Sequence, residues 1–341
     1  MSFGIAVIGA GMMGAQHAEN LSEIQGVHLP CVCDASAATA ADVAARVGAN
    51  RHTTDPHSVV QDASVDAIVV ASPDDTHADL VLAALEVGKP VLCEKPLAGS
   101  AKECRSIIDA EIKGGRRLVT VGFMRRFDPH YLDLKSMLSA TTRSEDIMMM
   151  HCSHRNATCP EWFTAELGLS NAVVHEIDIA RWLLKEEIET VQVMSRKKVP
   201  GSGFDDPQFV VMRTTSGTLV NVEIFMQSRY GYEINAEVVC SDQVIALSRP
   251  VYSRIKSSGA ERSPITDDWR LRFKNAYKDE ITAWAVAVAE GNHVGASAWD
   301  GLRAALVTDA CLESKMTGRE IVVPQMEFPT FYDERSGRGT K

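Results

Sequence analysis

The chain has 341 residues, of which 45% are hydrophobic and 23% charged, and its formal net charge at pH 7 is −10. The length favours two domains over one compact core, and the composition is typical of a globular protein. The negative charge argues against a nucleic-acid-binding surface, which needs clustered Lys and Arg. The short apolar run near the N-terminus predicts a buried strand, not a signal peptide, and no segment reaches the roughly 20 apolar residues of a membrane helix. We therefore expect a cytoplasmic protein with no membrane or nucleic-acid partner.

Residues 1–122 alternate short apolar runs with amphipathic stretches, which predicts βαβ units and a parallel sheet. The predicted strands are 5–9, 28–34, 66–72, 90–96 and 117–123. The predicted helices are 12–24, an alanine-rich segment through Arg46, 77–88 and 100–113. Five parallel strands with helical crossovers make up half or more of a doubly wound sheet of the Rossmann type.

Residues 123–330 predict a second domain that is rich in β-structure. The predicted strands are 146–155, 190–199, 207–215, 218–227, 232–241 and 243–249, with hairpin turns at 216–217 and 241–243. Two amphipathic helices follow, at 280–291 and 299–318. The expected second domain is an α+β domain with a large, mainly antiparallel sheet.

Eight cysteines are scattered along the chain without a C-x-x-C pair. The one cluster with metal-ligand chemistry is His151, Cys152, His154 and Cys159. Adjacent residues of a strand point to opposite faces, so residues 151 and 152 do not converge on one ion. We expect reduced, buried thiols and no metal site.

Gly9, Gly11 and Gly14 form a G-x-G-x-x-G sequence directly after the first predicted strand. In this motif the first glycine permits a tight turn, the second lets a pyrophosphate approach the backbone, and the third lets the helix pack closely. A lone motif of this kind is equally consistent with an accidental glycine-rich turn. Asp34, however, ends the next strand 20 residues after Gly14, where a carboxylate binds ribose hydroxyls. Because Asp34 repels a 2′-phosphate and residues 35–38 contain no Arg or Lys, the pattern predicts NAD over NADP.

Two polar stretches follow predicted strands, at the edge where an open parallel sheet binds its ligand. The first is ASPDDTH at 71–77 and the second is CEKPLAG at 93–99. Pro96 fixes φ and denies the strand a further hydrogen bond, so the strand ends beside Lys95. Lys95 is therefore either a solvated surface lysine or a catalytic group beside the nicotinamide.

The segment SNAVVHEIDIARWLL at 170–184 has helical periodicity. Asn171, His175 and Asp178 are spaced i, i+4 and i+7, which places all three on one face of an α-helix. That polar stripe is either a solvated face with a hydrogen-bonded histidine or a functional face turned into a cleft.

Six motifs together resemble the Gfo/Idh/MocA oxidoreductases over residues 5 to about 324: GAGMMG, SPDDTH, CEKPLAG, GFMRRFDPHY, HRN and NAVVHEID. The E-K-P signature at 94–96 is the most specific of them. Within the family, HRN at 154–156, YGYEINAEVV at 230–239 and FKNAYKDE at 273–280 are most similar to the inositol 2-dehydrogenase branch. The resemblance implies an NAD-dependent oxidation of a secondary hydroxyl of a cyclic polyol or sugar to a ketone. It also implies a homotetramer built from packed C-terminal sheets.

The resemblance implies roles for three catalytic residues. Lys95 is expected to contact the nicotinamide ribose and the reacting hydroxyl, and His175 to act as general acid/base. The family usually has Asp four residues before this histidine, where this chain has Asn171. Asn orients an imidazole but supplies no charge, so either Lys95 carries more of the proton transfer or Asn171 binds a hydroxyl of a different sugar.

Further positions are assigned to cofactor and substrate. Residues expected to bind NAD are Gly9, Gly11, Met12, Met13, Gly14, Asp34, Ala35, Ser72, Pro73, His77, Glu94 and Lys95. Residues expected to bind substrate are Arg125, His154, Asn156, Asp178, Tyr232 and Tyr277, with Arg155 and Tyr230 as further candidates. Each has a structural alternative, as an interdomain pair or a packing side chain. The alternative functions are a non-catalytic dinucleotide-binding regulator of the same fold, and a reductase or dehydrogenase for a different sugar or diol.

Overall fold

The computed structural model describes residues 2–196, 203–248 and 253–333. The strands are β1 (Phe3–Ile8), β2 (Val27–His28), β3 (Cys31–Cys33), β4 (Arg51–Thr53), β5 (Ala67–Val70), β6 (Val91–Glu94), β7 (Val119–Gly122), β8 (Ile147–Arg155), β9 (Ile188–Ser195), β10 (Gln208–Thr214), β11 (Leu219–Phe225), β12 (Glu233–Cys240), β13 (Val244–Ala246), β14 (Ile255–Ser257), β15 (Ala260–Arg262), β16 (Ala296–Ser297) and β17 (Ile321–Val322). The α-helices are α1 (Met12–Ser22), α2 (Ala37–Val47), α3 (Pro56–Gln61), α4 (His77–Glu86), α5 (Ala101–Gly114), α6 (Pro129–Thr141), α7 (Ala165–Leu167), α8 (Val174–Leu184), α9 (Trp269–Ala289) and α10 (Ala298–Thr317).

The described residues form two compact units. The first unit contains the residues up to Met124, Ala276–Ala305 and those from Met326 onward. The second contains Arg125–Asn275 and Leu306–Gln325. The polypeptide thus passes between the units within α9 and again within α10. No helix among the described residues is long and apolar enough to span a membrane.

The first unit is a Rossmann fold, which confirms the predicted α/β class. Its main sheet has the strand order β16-β7-β6-β5-β1-β3-β4, and all neighbouring strands are parallel except β16 and β7. The predicted strand 28–34 is wrong in extent, because Pro30 has no N–H to donate and separates β2 from β3. The edge strand β4 was not among the strands expected from the sequence, because its three side chains are all polar.

Side-chain caps are present at the N-termini of α2, α3 and α5, and glycines in the left-handed conformation end α2 and α5. Ser36 accepts a hydrogen bond from the Thr39 amide at the start of α2, and Ser100 does the same for Glu103 at the start of α5. Gly48 and Gly115 end those two helices in the left-handed conformation, which glycine adopts without strain. The crossovers therefore have defined ends, and the strand-end loops between them are short.

A downstream segment completes the first unit. Ile281, Trp284 and Ala285 of α9 are buried in the same apolar cluster as Ile5 and Val7 of β1, and β16 adds an antiparallel edge strand to β7. The ranges expected from the sequence, 1–122 and 123–330, placed this segment with the second domain. Burial of its apolar stripe against the parallel sheet is the physical reason that it joins the first unit.

The second unit contains a seven-stranded sheet of order β13-β12-β8-β11-β10-β9-β17, in which all pairs are antiparallel except β8 with β11. This confirms the predicted large, mainly antiparallel sheet and both predicted hairpins. The predicted strands 190–199 and 243–249 end partly outside the described residues. The predicted helix 280–291 is wrong at its start, since α9 begins at Trp269, and Phe273, Ala276 and Tyr277 continue its buried stripe.

Candidate active site

The turn after β1 is shaped by glycine. Gly9 has a φ of +91°, and a Cβ there would lie 2.4 Å from the backbone of Ala71 and Ser72. A Cβ on Gly14 would lie 1.7 Å from the Gly9 carbonyl oxygen. A Cβ on Gly11, by contrast, would meet nothing within 4 Å, so open space adjoins the N-terminus of α1, which has no side-chain cap. Open space beside a helix N-terminus fits the pyrophosphate of a dinucleotide.

Asp34 ties the end of β3 to this turn. One carboxylate oxygen accepts a 2.8 Å hydrogen bond from the Ala10 amide, and the other accepts one of 2.8 Å from the Ser36 amide. The Gly9 amide donates to the Cys33 carbonyl oxygen over 2.8 Å. Each carboxylate oxygen has a second lone-pair site, so Asp34 can accept ribose hydroxyls as well. Around it, Met12 and Ala35 are exposed and Met13 is half-buried.

His77 links the two polar loops that follow β5 and β6. Its Nε2 lies 2.9 Å from the Ser72 carbonyl oxygen and its Nδ1 lies 2.7 Å from the Pro96 carbonyl oxygen. The Ser72 and Thr76 hydroxyls are 2.6 Å apart, while Pro73 is exposed. The expected contact between His77 and NAD stays a prediction, because both ring nitrogens already face protein carbonyls.

Glu94 is buried at the end of β6. Its Oε1 lies 2.7 Å from Nε2 of His17 on α1, and its Oε2 accepts a 3.3 Å hydrogen bond from the Lys95 amide. Burial raises the pKa of Glu94, but the hydrogen bond and charge of His17 and the charge of Lys95 outweigh it, so the pKa lies below its ordinary value. The sequence analysis missed His17. The available signal was its position on the apolar stripe of α1, with Gly14, Ala18 and Leu21.

The predicted polar stripe in the second unit is built differently from a regular α-helix. Asn171 lies in a π-helical segment, Gly168–Val173, and α8 begins only at Val174. The i, i+4, i+7 spacing over one uninterrupted α-helix is therefore wrong, because the wider turn changes the angular position of Asn171. His175 is 7% exposed and Asp178 is 1% exposed. These two side chains therefore do not lie on a solvated face of the helix.

Buried ion pairs hold α8 at Glu176 and Asp178, which follow His175. The guanidinium of Arg125 donates to the Glu176 carboxylate, and His154 Nδ1 lies 3.1 Å from the same group. Arg126 donates to both oxygens of Asp178, over 3.0 and 2.6 Å. Burial raises the pKa of Glu176, but Arg125 and His154 outweigh it and hold that pKa at about 2. The sequence analysis did not identify Glu176, and nothing in its pattern separated it from a surface glutamate.

The remaining substrate candidates lie in both units. Tyr232 packs edge to face on His154, with ring centroids 5.9 Å apart, and burial raises its pKa. Oδ1 of Asn156 is buried and has no hydrogen-bond partner among the described residues. Tyr277, in the first unit, packs edge to face on His17. Arg155 alternates with His154 along β8 and pairs instead with Glu223 and Glu233, so it lies on the other face of the sheet.

The cysteines and histidines of the described residues are arranged neither as a metal site nor as disulfides. Within the described ranges, no group of three or more His, Cys, Asp or Glu side chains is arranged to hold a metal ion. His151 and Cys152 point to opposite faces of β8, and His151 Nδ1 contacts Oδ1 of Asn221. All eight cysteines are described, and none forms a disulfide.

Comparison with known proteins agrees with this geometry. Residues 3–123 match the GFO/IDH/MocA oxidoreductase family model, described as an NAD-binding Rossmann fold, and residues 132–246 match the GFO/IDH/MocA C-terminal domain. Inositol 2-dehydrogenase 2 of Saccharopolyspora erythraea is 42% identical over 335 residues, covering 97% of this chain and 98% of that protein. Inositol 2-dehydrogenase of Klebsiella pneumoniae is 40% identical over 339 residues, covering 97% and 99%.

A solved structure extends the similarity to three dimensions. The crystal structure of myo-inositol dehydrogenase from Lactobacillus casei, in complex with NAD(H) and myo-inositol, has a TM-score of 0.94 at 29% identity and covers 97% of this chain and 100% of that one. The glycine turn, the Asp34 carboxylate and the two matched domain models together make this chain an NAD-dependent oxidoreductase. It belongs to the Gfo/Idh/MocA family.

Proposed function

We propose that this protein oxidises one ring hydroxyl of an inositol-type cyclic polyol to a ketone, with NAD as the oxidant. The observation that carries the proposal is the identity of about 40%, over nearly the whole length of both chains, with proteins named inositol 2-dehydrogenase. The glycine turn and Asp34 support the cofactor half of the proposal independently.

The reaction removes a hydride from the carbinol carbon and a proton from its hydroxyl. Bound NAD supplies the hydride acceptor. The chain must supply a base within hydrogen-bond reach of the hydroxyl proton. In this proposal Lys95 and His175 handle that proton, and Asn171 orients the imidazole.

Lys95 is supported by its place at the carboxyl end of β6, the sheet edge where a parallel α/β sheet binds its ligand. The role of His175 is supported by the ion pairs of Glu176 and Asp178, which hold α8 in place and so restrict the position of the ring. Asn171 is supported by the π-helical segment, a local widening that often occurs at functional sites.

The six substrate candidates divide by the contacts that they already make. Arg125, His154 and Asp178 are engaged in buried ion pairs, so we assign them to positioning α8. The remaining binding candidates are Asn156, Tyr232 and Tyr277. The side-chain carbonyl oxygen of Asn156 is available to accept a hydrogen bond from a substrate hydroxyl. A ligand with many hydroxyls needs such partners, because an unpaired buried donor costs about 1–3 kcal/mol.

The direct experiment is NADH formation by the purified protein with a panel of cyclic polyols, sugars and acyclic diols. We expect turnover with at least one inositol and not with acyclic diols. Lys95→Ala should lower kcat by roughly 10²–10⁴ while leaving the Kd for NAD near its wild-type value. NAD binding without turnover on any substrate would contradict the proposal and favour a non-catalytic regulator.

We further propose that a second copy of the chain covers the outer face of the second unit's sheet, within the homotetramer implied by the family resemblance. That face exposes Phe209 beside Met194, and Leu219 lies on the same side. The alternating neighbours Val210, Val193 and Val220 are buried. Exposed apolar side chains on one sheet face favour such burial. A monomeric mass by light scattering at micromolar concentration would contradict this assembly.

A cytoplasmic location is part of the same proposal. Its support is that none of the eight cysteines forms a disulfide, which is typical of reducing compartments. Fractionation of the native host, with the protein found among periplasmic or secreted material, would contradict it.

A further inference from the structure

His17 is a buried titratable side chain that the proposed reaction does not use. It lies on α1, three residues after Gly14 of the glycine turn, and it is 0% exposed. The neighbouring positions of the same stripe are Ala18 and Leu21, which pack as apolar residues. A histidine at such a site needs a specific partner, since burying an unpaired polar group is costly.

The partner of His17 is Glu94, the residue before Lys95. The His17 Nε2 to Glu94 Oε1 distance is 2.7 Å, and both side chains are buried. Nδ1 of His17 has no hydrogen-bond partner among the described residues, so the described hydrogen bonding of this ring is directed at Glu94 alone. The ring of Tyr277 packs edge to face on the imidazole, with centroids 6.1 Å apart, and limits its rotation.

Two backbone groups lie beside the Glu94 carboxylate, at Lys95 and at Gly122. Its Oε2 accepts the hydrogen bond from the Lys95 amide. Gly122, its register neighbour on β7, leaves the necessary space, because a Cβ there would lie 3.2 Å from the carboxylate. The described groups beside the Glu94 carboxylate include His17 from α1, the amide of Lys95 and Gly122 of β7.

We propose that His17 is a positioning residue for the catalytic lysine: it holds the Glu94 carboxylate, which holds the Lys95 amide, and so fixes Lys95 relative to the glycine turn. The inference rests on the proposed function, in which Lys95 is catalytic. Helix α1, which begins at the glycine turn, therefore also carries the side chain that orients the loop after β6. A small displacement of a catalytic group is enough to lower turnover by about 10²-fold.

The test compares His17→Leu, His17→Gln, Glu94→Gln and the double variant His17→Leu/Glu94→Gln, with exposed His52→Leu as the matched control. Each protein is assayed for kcat, KM for the inositol that the wild type oxidises, and Kd for NAD. His17→Leu should lower kcat by roughly 10- to 100-fold and leave the Kd for NAD within about threefold. His17→Gln, which keeps an N–H donor, should recover kcat to within about fivefold of wild type.

The double variant should lose no more than about twofold beyond the worse single variant, since both substitutions break one link. Two results would overturn the inference: a kcat for His17→Leu within twofold of wild type, or equal losses for His17→Leu and His17→Gln that follow a weaker Kd for NAD. If His17→Leu does not fold, His17→Gln and Glu94→Gln decide the question, and a kcat for Glu94→Gln equal to wild type overturns the inference.

Lys95→Ala separates this inference from the proposed function. If Lys95→Ala keeps wild-type turnover, the catalytic assignment of Lys95 is wrong and the role of His17 falls with it. If Lys95→Ala is inactive while every His17 variant matches the His52→Leu control, the proposed function stands and only the positioning role is wrong.

Discussion

The candidate functional residues of the two units are held in place by different means. In the first unit, the glycine turn depends on backbone geometry, because Gly9 and Gly14 have no room for a Cβ and Asp34 accepts a hydrogen bond from the Ala10 amide. In the second unit, a buried ion pair between Arg125 and Glu176 holds α8 at the residue next to His175. Backbone constraints specify one conformation and one cofactor, whereas a network of charged side chains can be altered residue by residue. We therefore expect Gly9 and Gly14 to tolerate almost no substitution, whereas the buried ion pair of the second unit should tolerate replacement of both partners together.

The largest expected effect is the loss of unfolding free energy when the Arg125–Glu176 ion pair of the second unit is broken. Arg125→Met leaves the Glu176 carboxylate buried without its main partner, which costs about 3–5 kcal/mol of unfolding free energy. Arg125→Met/Glu176→Met should recover most of that loss, because well-packed apolar residues replace a buried ion pair at little cost. Chemical denaturation of the three proteins measures this. A double variant as unstable as the single one would show that the pair is not the source of the stability.

The next largest effect is expected in the glycine turn, where substitutions of Gly14 and Gly11 can be compared with each other. Gly14→Ala forces a Cβ against the Gly9 carbonyl and should destabilise the fold by about 1–3 kcal/mol or more. Gly11→Ala places its Cβ in open space, so the apo fold should keep its stability while the affinity for NAD falls by about tenfold or more. Calorimetric titration with NAD and thermal unfolding separate the two outcomes. Equal stability losses in both variants would contradict the structure of the turn.

The acid stability of the protein should depend on Glu176. Its pKa is lowered to about 2 in the folded protein, below its ordinary value of 4.5. The stabilisation is therefore complete above about pH 4.5 and is lost as the pH falls toward 2. Glu176→Gln should be less stable at neutral pH and show a shallower loss in acid, so that its urea midpoint approaches that of the wild type. Glu189→Gln, at an exposed position of β9, should follow the wild type at every pH.

The smallest effect concerns Asn171. An added carboxylate near His175 favours the protonated imidazole, so Asn171→Asp should move the acid limb of the kcat/KM profile for polyol oxidation to higher pH. We expect a shift of about one pH unit and a change in maximal kcat/KM of less than about tenfold. Asn171→Ala is the control and should lower kcat without moving the limb. An unchanged profile for Asn171→Asp would mean that residue 171 does not act on the imidazole.

The same difference between the units explains what could be predicted from the sequence. The glycine turn, Asp34 and the E-K-P segment follow local rules, since residue type and spacing determine the backbone there. The Rossmann class and the mainly antiparallel sheet follow from hydrophobic periodicity.

What escaped prediction depends on contacts between residues that are distant in sequence. Glu176 becomes a buried anion only because Arg125 and His154 reach it from other elements. His17 acquires its partner 77 residues downstream, and β16 joins β7 from a segment with no strand pattern of its own. The π-helical segment around Asn171 has no periodic signature that separates it from the helix that follows.

Deuterium on the inositol ring tests whether a hydride passes from a ring carbon to NAD. The purified protein would be incubated with NAD and fully ring-deuterated myo-inositol, and the reduced cofactor analysed by mass spectrometry. If that transfer occurs, the reduced nicotinamide carries one deuterium from the substrate, and the signal is lost in Lys95→Ala. Reduced nicotinamide without deuterium, or no reduction with any inositol while NAD remains bound, would contradict it.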